Sequence, residues 1–312
     1  FGYQALSSNT TGNYNTAHGY EALISNTTAN NNTATGYKSL FLNTTGAGNA
    51  AVGKEALYSN TTGTNNVAVG LASLQSNTTA SSNTAIGYES LKANTEGYRN
   101  TAQGYQSLGL NTTGSYNTAV GYKTLYSNVT TGNTAFGYNA AISTTTGASN
   151  VALGYDALYS NTTGTSNTAL GSNAFYANTT GEKNIAIGSS AAYSNTTGIR
   201  NVVIGTQAFY YNTSGDDTIA IGYRAGRQDS GGSNNVSSTD SVFIGMGTKP
   251  SQSGETNTIV IGDTAIGIGS NTAVLGNDSI TTTALKGNVG IGTTTPNEAL
   301  TVSGSISASG DL

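Results

Sequence analysis

Cysteine and tryptophan are absent from the 312 residues, and there are only one histidine, one methionine and two prolines. A chain without cysteine is compatible with an extracellular fibre. No long apolar run is present, so no membrane-spanning helix is expected in this segment. Charge is sparse as well. Only 8% of residues are Asp, Glu, Lys or Arg, and the net charge of −4 argues against nucleic acid as a partner. A chain this polar and uncharged, rich in Thr, Asn and Gly, invites a reading as low-complexity disorder. The strict phase of its apolar residues opposes that reading, because a disordered chain has no reason to keep one.

The phase is 17 residues. From Asn15, an Asn opens a new unit at 32, 49, 66, 83, 100, 117, 133, 150, 167, 184 and 201, with Asp217 in the next place; ten of these intervals are 17 residues and two are 16. Count from that Asn as position 1. Position 2 is Thr, Val or Ile, position 3 almost always Ala, position 4 often Val, Ile, Leu or Phe, and position 5 Gly. Branched residues alternating with small ones predict a short strand, with positions 2 and 4 on one face and 3 and 5 on the other. The small face would let another backbone approach closely. Position 6 is frequently Tyr, as in Tyr20, Tyr37, Tyr88, Tyr105 and Tyr122. Position 9 is a large apolar residue, as in Leu23, Leu40, Leu57, Leu74, Leu91, Leu108, Leu125 and Leu158. "SNTTG" or a variant then supplies turn formers. Each unit reads as strand, short second strand or extended segment, and turn. Gly at position 5 and β-branched residues at 2 and 4 oppose a helix.

The fold expected is therefore all-β, a parallel β-solenoid of 16–17-residue coils. At about 3.3 Å per residue a unit has a contour of roughly 56 Å, which suits one narrow coil, and coils stack about 4.8 Å apart. Stacking turns each position into a ladder: Leu at 9, Tyr at 6, and amides at 1 (Asn83, Asn100 and Asn117 among them) and at 12. The Asn of position 12 also opens an N-x-S/T sequon in most units, and glycans on stacked coils would crowd one another. Only about four positions per unit are reliably apolar, so a single coil buries little area. Packing of identical chains, intertwined or side by side, remedies this and predicts a homotrimer.

"NVAVG", "NTAIG", "NIAIG", "NVVIG", "DTIAIG" and "NTIVIG" resemble the strand motif of YadA-like heads in trimeric autotransporter adhesins. The resemblance covers roughly residues 1 to 276 and implies a left-handed parallel β-roll that trimerises. That family's unit is nearer fourteen residues; here "SNTTG" supplies an extra turn. The C-terminal stretch "GNVGIGTTTPNEALTVSGSISASGDL" is similar to the segment joining fibre shafts to a chaperone domain in phage tail fibres and related surface proteins. Both resemblances imply an extracellular place, on a bacterial cell surface or a virion. Three segments follow: regular coils over 1–216, irregular coils over 217–286, and a connector with strand alternation over 287–312. The chain opens at Phe1 in the middle of a repeat, so the natural polypeptide is expected to begin upstream.

Chemistry is scarce. No catalytic residue, cofactor or metal ligand is predicted. His18 occupies a position where other coils carry Val or Ile, with no oriented partner signalled. Asp216, Asp217, Asp229 and Asp240 are the densest acids; they make a Ca²⁺ site conceivable, against the plainer alternative of a solvated loop. Residues 224–240 break the period as a polar insertion, and such loops often bind. Arg224, Arg227 and Asp229 are the candidate ligand residues there, with the arginines suited to an acidic sugar. The expected partners are the chain itself and a surface glycan or protein receptor, with no direct membrane insertion. An adhesin or structural fibre follows. A tailspike-like polysaccharide-degrading solenoid is the alternative from another class, and needs clustered carboxylates. An ice-binding solenoid is a further one, opposed because adjacent Thr residues on a strand point to opposite faces.

Overall fold

A computed structural model describes residues 1–296 and 298–303 of the chain. It is a parallel β-solenoid. Sixteen strands, from β1 (Thr16–His18) to β16 (Thr272–Leu275), form one parallel sheet in strict chain order. Each coil contributes one strand, and the register aligns equivalent positions, Ala85 with Ala102 and Ala102 with Ala119 for example. The solenoid unit ends at Leu275, and 276–312 forms a second unit that includes a parallel pair, β17 (Val289–Ile291) with β18 (Leu300–Val302). From Gly304 onward the C-terminal alternation lies outside the described residues.

The short second strand or extended segment expected in each coil is a run of turns instead. Positions 7, 9 and 17 adopt left-handed backbone in coil after coil, with φ near +51° at Glu89, +50° at Leu91 and +55° at Arg99. Non-glycine residues avoid that region at a cost of about 1–2 kcal/mol each, so the stack must enforce it. The backbone bonds show how. Glu89 N–H donates back to Leu71 O at 2.9 Å, whereas Leu91 N–H donates forward to Ser107 O at 3.0 Å. The direction of bonding switches between the left-handed residues 89 and 91, and switches again between Gly97, which donates forward to Thr112 O, and Arg99, which donates back to Ser81 O. A coil with three strand residues is thus bonded to its neighbours round most of its circuit, and few buried amides are orphaned.

The small face of the strand points inward. Ala of position 3 is completely buried in Ala34, Ala51, Ala68, Ala85 and their successors, beneath Leu of position 9 and Ala or Ser of position 8. Leu23, Leu40, Leu57, Leu74, Leu91, Leu108, Leu125 and Leu158 are all fully buried. Gly of position 5 has φ near +130°, and a Cβ on Gly87 would lie 2.3 Å from Gly104 O. The close approach that these small residues permit is between coils of one chain. The face left for a partner is instead the one bearing positions 2 and 4.

Two amide ladders run inside the coil. At position 1, Asn100 and Asn117 N–H each donate at 2.9 Å to Oδ1 of Asn83 and Asn100 respectively, while Asn83 Nδ2 donates to Gly97 O at 2.8 Å. At position 12, Asn77 Nδ2 donates to Asn60 Oδ1 at 2.8 Å and Asn94 Nδ2 to Asn77 Oδ1 at 3.0 Å. The ladder breaks in the one 16-residue coil, where Asn128 Nδ2 turns to Thr130 O and Asn111 Oδ1 is left without a partner. The position-1 place after Asn201 belongs to Thr218, not Asp217: Thr218 is buried and its N–H donates to Asn201 Oδ1 at 3.0 Å, 17 residues on. Later coils vary, and the last, from Thr258 to Thr272, has shortened to 14 residues.

Candidate functional site

Three outer features distinguish this rod from a plain polar one. The first is the outer face of the sheet. Position 4 presents Val52, Val69, Ile86, Phe136, Leu153, Ile187 and Ile204, each 36–49% exposed. Position 2 adds Val151, Ile185, Ile219 and Ile259. From Val151 to Ile261 nearly every coil is apolar in both columns; before it, Thr often occupies position 2. Because register is exact, these side chains make an apolar stripe that runs from Val52 to Ile86 and again from Val120 to Leu275, interrupted by Thr101 and Gln103. Exposed apolar patches of this extent are uncommon on monomeric soluble proteins. His18 stands in the same column, exposed, in a first coil that is polar at both positions, edge-on to Phe1 at 5.8 Å.

The second feature is aromatic. Tyr88, Tyr105, Tyr122, Tyr138 and Tyr155 of position 6 stack face to face at 4.8–5.3 Å, and Tyr20 stacks between Tyr3 and Tyr37. Each is more than a third exposed, while stacking covers both ring faces of the inner members such as Tyr105 and Tyr122. The negative charge of Glu89 pushes the Tyr88 hydroxyl above its ordinary pKa. A second column at position 10, Tyr159, Tyr176, Tyr193 and Tyr210, was not anticipated. Its signal was present as four tyrosines 17 apart, but position 10 varies too much elsewhere to attract notice.

The third feature lies at the insertion. Residues 228–234 form a small hairpin bridged between Gln228 and Asn234. Arg224 and Arg227 line one cavity of about 240 Å³ beside it, with Tyr223, Met246 and Lys249. Arg224 lies over the Tyr223 ring at 4.8 Å, and Arg227 over Tyr211 at 5.1 Å, where its Nη2 donates to the Tyr211 hydroxyl at 3.2 Å. Arg227 Nε is buried and without a partner. None of the three cations is within ion-pair distance of a carboxylate among the described residues. Uncompensated positive charge over aromatic walls suits an anionic ligand. Asp229 does not join them. It is buried, and its Oδ1 accepts from Ser233 N–H at 2.8 Å to tie off the hairpin. Lys249 was missed because it lies one coil later and outside the regular repeat; stacking alone brings it there.

The other acids are dispersed. Asp217 is bidentate to Arg200 at 2.6 Å for both bonds, and the guanidinium holds its carboxyl below the usual range. Asp216 Oδ1 accepts from Ile199 N–H, and Asp240 N–H donates to Asp216 O. Among the described residues no group of three or more His, Cys, Asp or Glu is placed to hold a metal ion. The sequon asparagines from Asn26 to Asn212 are buried in the position-12 ladder. The Thr of position 13 is half-buried, its hydroxyl donating to the next coil's carbonyl, as Thr44 does to Thr61 at 3.1 Å. Thr of position 14 is exposed, as at Thr45, Thr62 and Thr79, so the two threonines of a pair differ in burial in most coils. Among the described residues no helix is long and apolar enough to cross a membrane. No protein-family model matches the chain, nor does any curated protein or solved structure.

Proposed function

We propose that this chain is an extracellular structural fibre or adhesin that acts as a parallel homotrimer and performs no catalysis. The observation that carries this reading is the apolar stripe of positions 2 and 4 on a sixteen-stranded sheet. In water it is a standing cost, and a second and third copy in the same register would bury its apolar stretches, the longest of which runs from Val120 to Leu275. The strand motif "NTAIG" and its variants resemble YadA-like heads, and the 14-residue last coil has the length typical of that family's unit. Both support three chains and a place on a cell surface or virion.

The receptor class follows from the cavity of Arg224, Arg227 and Lys249. We assign it to a carboxylate-bearing glycan, met three times on one fibre, so that weak contacts multiply. The test is retention on sialylated against desialylated glycan surfaces. Wild-type protein should be retained on the sialylated surface only, released by salt, and should leave the glycan chains intact. A protein with Arg224→Ala and Lys249→Ala should pass through. Shortened glycans at enzymatic rates would replace the fibre reading with a solenoid hydrolase or lyase.

A further inference from the structure

The position-10 aromatic column has a gap. Phe41 stacks on Tyr58 at 5.0 Å, and the run from Tyr159 to Tyr210 stacks at 4.9–5.0 Å. Between them the column reads Gln75, Lys92, Gly109, Tyr126 and Ile142. Tyr126 is the one tyrosine of this column, among the described residues, with no ring stacked on it. On its N-terminal side stands Gly109, where even a Cβ would lie 2.8 Å from Tyr126 Cε2. The missing rung opens a notch of about 270 Å³ lined by Ser76, Glu89, Lys92, Gln106, Leu110 and Tyr126.

The polar groups of the notch are held in place. Glu89 accepts from Lys92 Nζ at 2.6 Å and from Gln106 Nε2 at 2.7 Å, and the Tyr88 hydroxyl also bonds to it, which leaves its carboxylate one of four acceptor positions. The Gln106 carbonyl oxygen and the Ser76 hydroxyl are engaged by no other group among the described residues. An aromatic ring, which Lys123 Nζ also approaches at 5.6 Å, an ionised carboxylate, an amide, an ammonium and a hydroxyl thus line one small cavity.

We propose that this notch binds one hexopyranose ring of a neutral glycan. The C–H groups on one face of such a ring complement the negative face of Tyr126, and its hydroxyl edge can both donate to Glu89 and Gln106 and accept from Lys92. An anionic ligand fits worse, because Glu89 already neutralises Lys92. A flat aromatic ligand would stack as well but would leave the polar groups desolvated and unpaired. The site belongs to a single chain and is distinct from the basic cavity, so it stands independently of the trimer.

The experiment titrates methyl glucopyranoside, galactopyranoside, mannopyranoside and N-acetylglucosaminide into the full chain, read by saturation transfer from protein aromatic protons. At least one should bind with a dissociation constant of about a millimolar, with transfer concentrated on one ring face. Gly109→Tyr fills the notch and pushes the Tyr126 ring aside, since its Cβ would meet that ring at 2.8 Å, while the Gly109 backbone lies outside the left-handed region. That variant, and separately Tyr126→Ala, should weaken binding by about tenfold or more. Thr197→Ala, on the exposed position 14 far from the notch, should leave it unchanged. Absence of binding by all four sugars overturns the proposal. So does undiminished binding by folded Gly109→Tyr or, should that variant not fold, by Tyr126→Ala. Stronger occupancy of the notch by phenol than by any sugar also overturns it, in favour of an aromatic partner.

Discussion

Removing one amide from the position-12 ladder isolates what the buried asparagines contribute. Asn77 is fully buried and takes part in three bonds: its Nδ2 donates to Asn60 Oδ1 and to Ala80 O, and its Oδ1 accepts from Asn94 Nδ2. In Asn77→Ala, Ala80 O still accepts from Asn66 Nδ2, and Asn94 Nδ2 still donates to Gly97 O. Asn60 Oδ1 loses its donor and one N–H of Asn94 Nδ2 loses its acceptor. Each orphaned buried group costs about 1–3 kcal/mol, and the small void adds to it, so a loss of about 2–6 kcal/mol per chain is expected. Asn77→Asp should cost more at neutral pH, since a buried carboxylate with no cation faces another acceptor at Asn60. Its penalty should shrink on acidification, because a protonated carboxyl can again donate. Thr79→Ala, on the exposed position 14, should stay within about 0.5 kcal/mol of wild type. Stacked repeats need not unfold in one step, so chemical denaturation is paired with amide exchange of the coils around residue 77. If Asn77→Ala and Thr79→Ala are indistinguishable in both measurements, the ladder is not a source of stability.

Three further outcomes follow from the same geometry. Gly87→Ala should prevent local stacking, because φ is +131° and the added Cβ meets Gly104 O; circular dichroism and exchange of the flanking coils read this out. The bonds from Lys92 and Gln106 hold Glu89 below its ordinary pKa, so its contribution is complete above the unfolded carboxyl value of about 4.3 and is lost as pH falls through the lower folded value. Melting curves across that acid window should shift for wild type and be flatter for Glu89→Gln. Folded protein offered to an oligosaccharyltransferase should gain no glycan at Asn43, Asn60 or Asn77, which are buried, while chemically unfolded chain should be modified; equal modification of both would contradict the ladder.

The solenoid was legible because its period is a backbone property repeated without interruption. Gly at position 5, Ala at 3 and Asn at 1 recur too strictly to be accidental. The left-handed turns at positions 7 and 9 were not legible. Glu89 and Leu91 carry no preference for positive φ, and only bonding between neighbouring coils imposes it. The same cause hid the run of turns that replaces the second strand or extended segment. Ala of position 3 and Gly of position 5 indicated the close approach of another backbone, and that backbone is the next coil of the same chain. At the insertion, Arg224 and Arg227 were visible as a pair on a polar break in period. Lys249 was not, because nothing local links it to them. Asp229 looked like a ligand group by proximity in sequence, and the hairpin uses it instead.

The central claim is that the stripe of positions 2 and 4 joins three identical rods. Light scattering of the folded chain at micromolar concentration measures this directly. The expected mass is three times the 31.4 kDa of one chain. Ile187→Glu with Ile204→Glu, both pointing outward, should return it to the mass of one chain while the β-solenoid circular dichroism persists. A wild-type protein that is folded, soluble and monomeric, with that stripe in open water, would contradict the account.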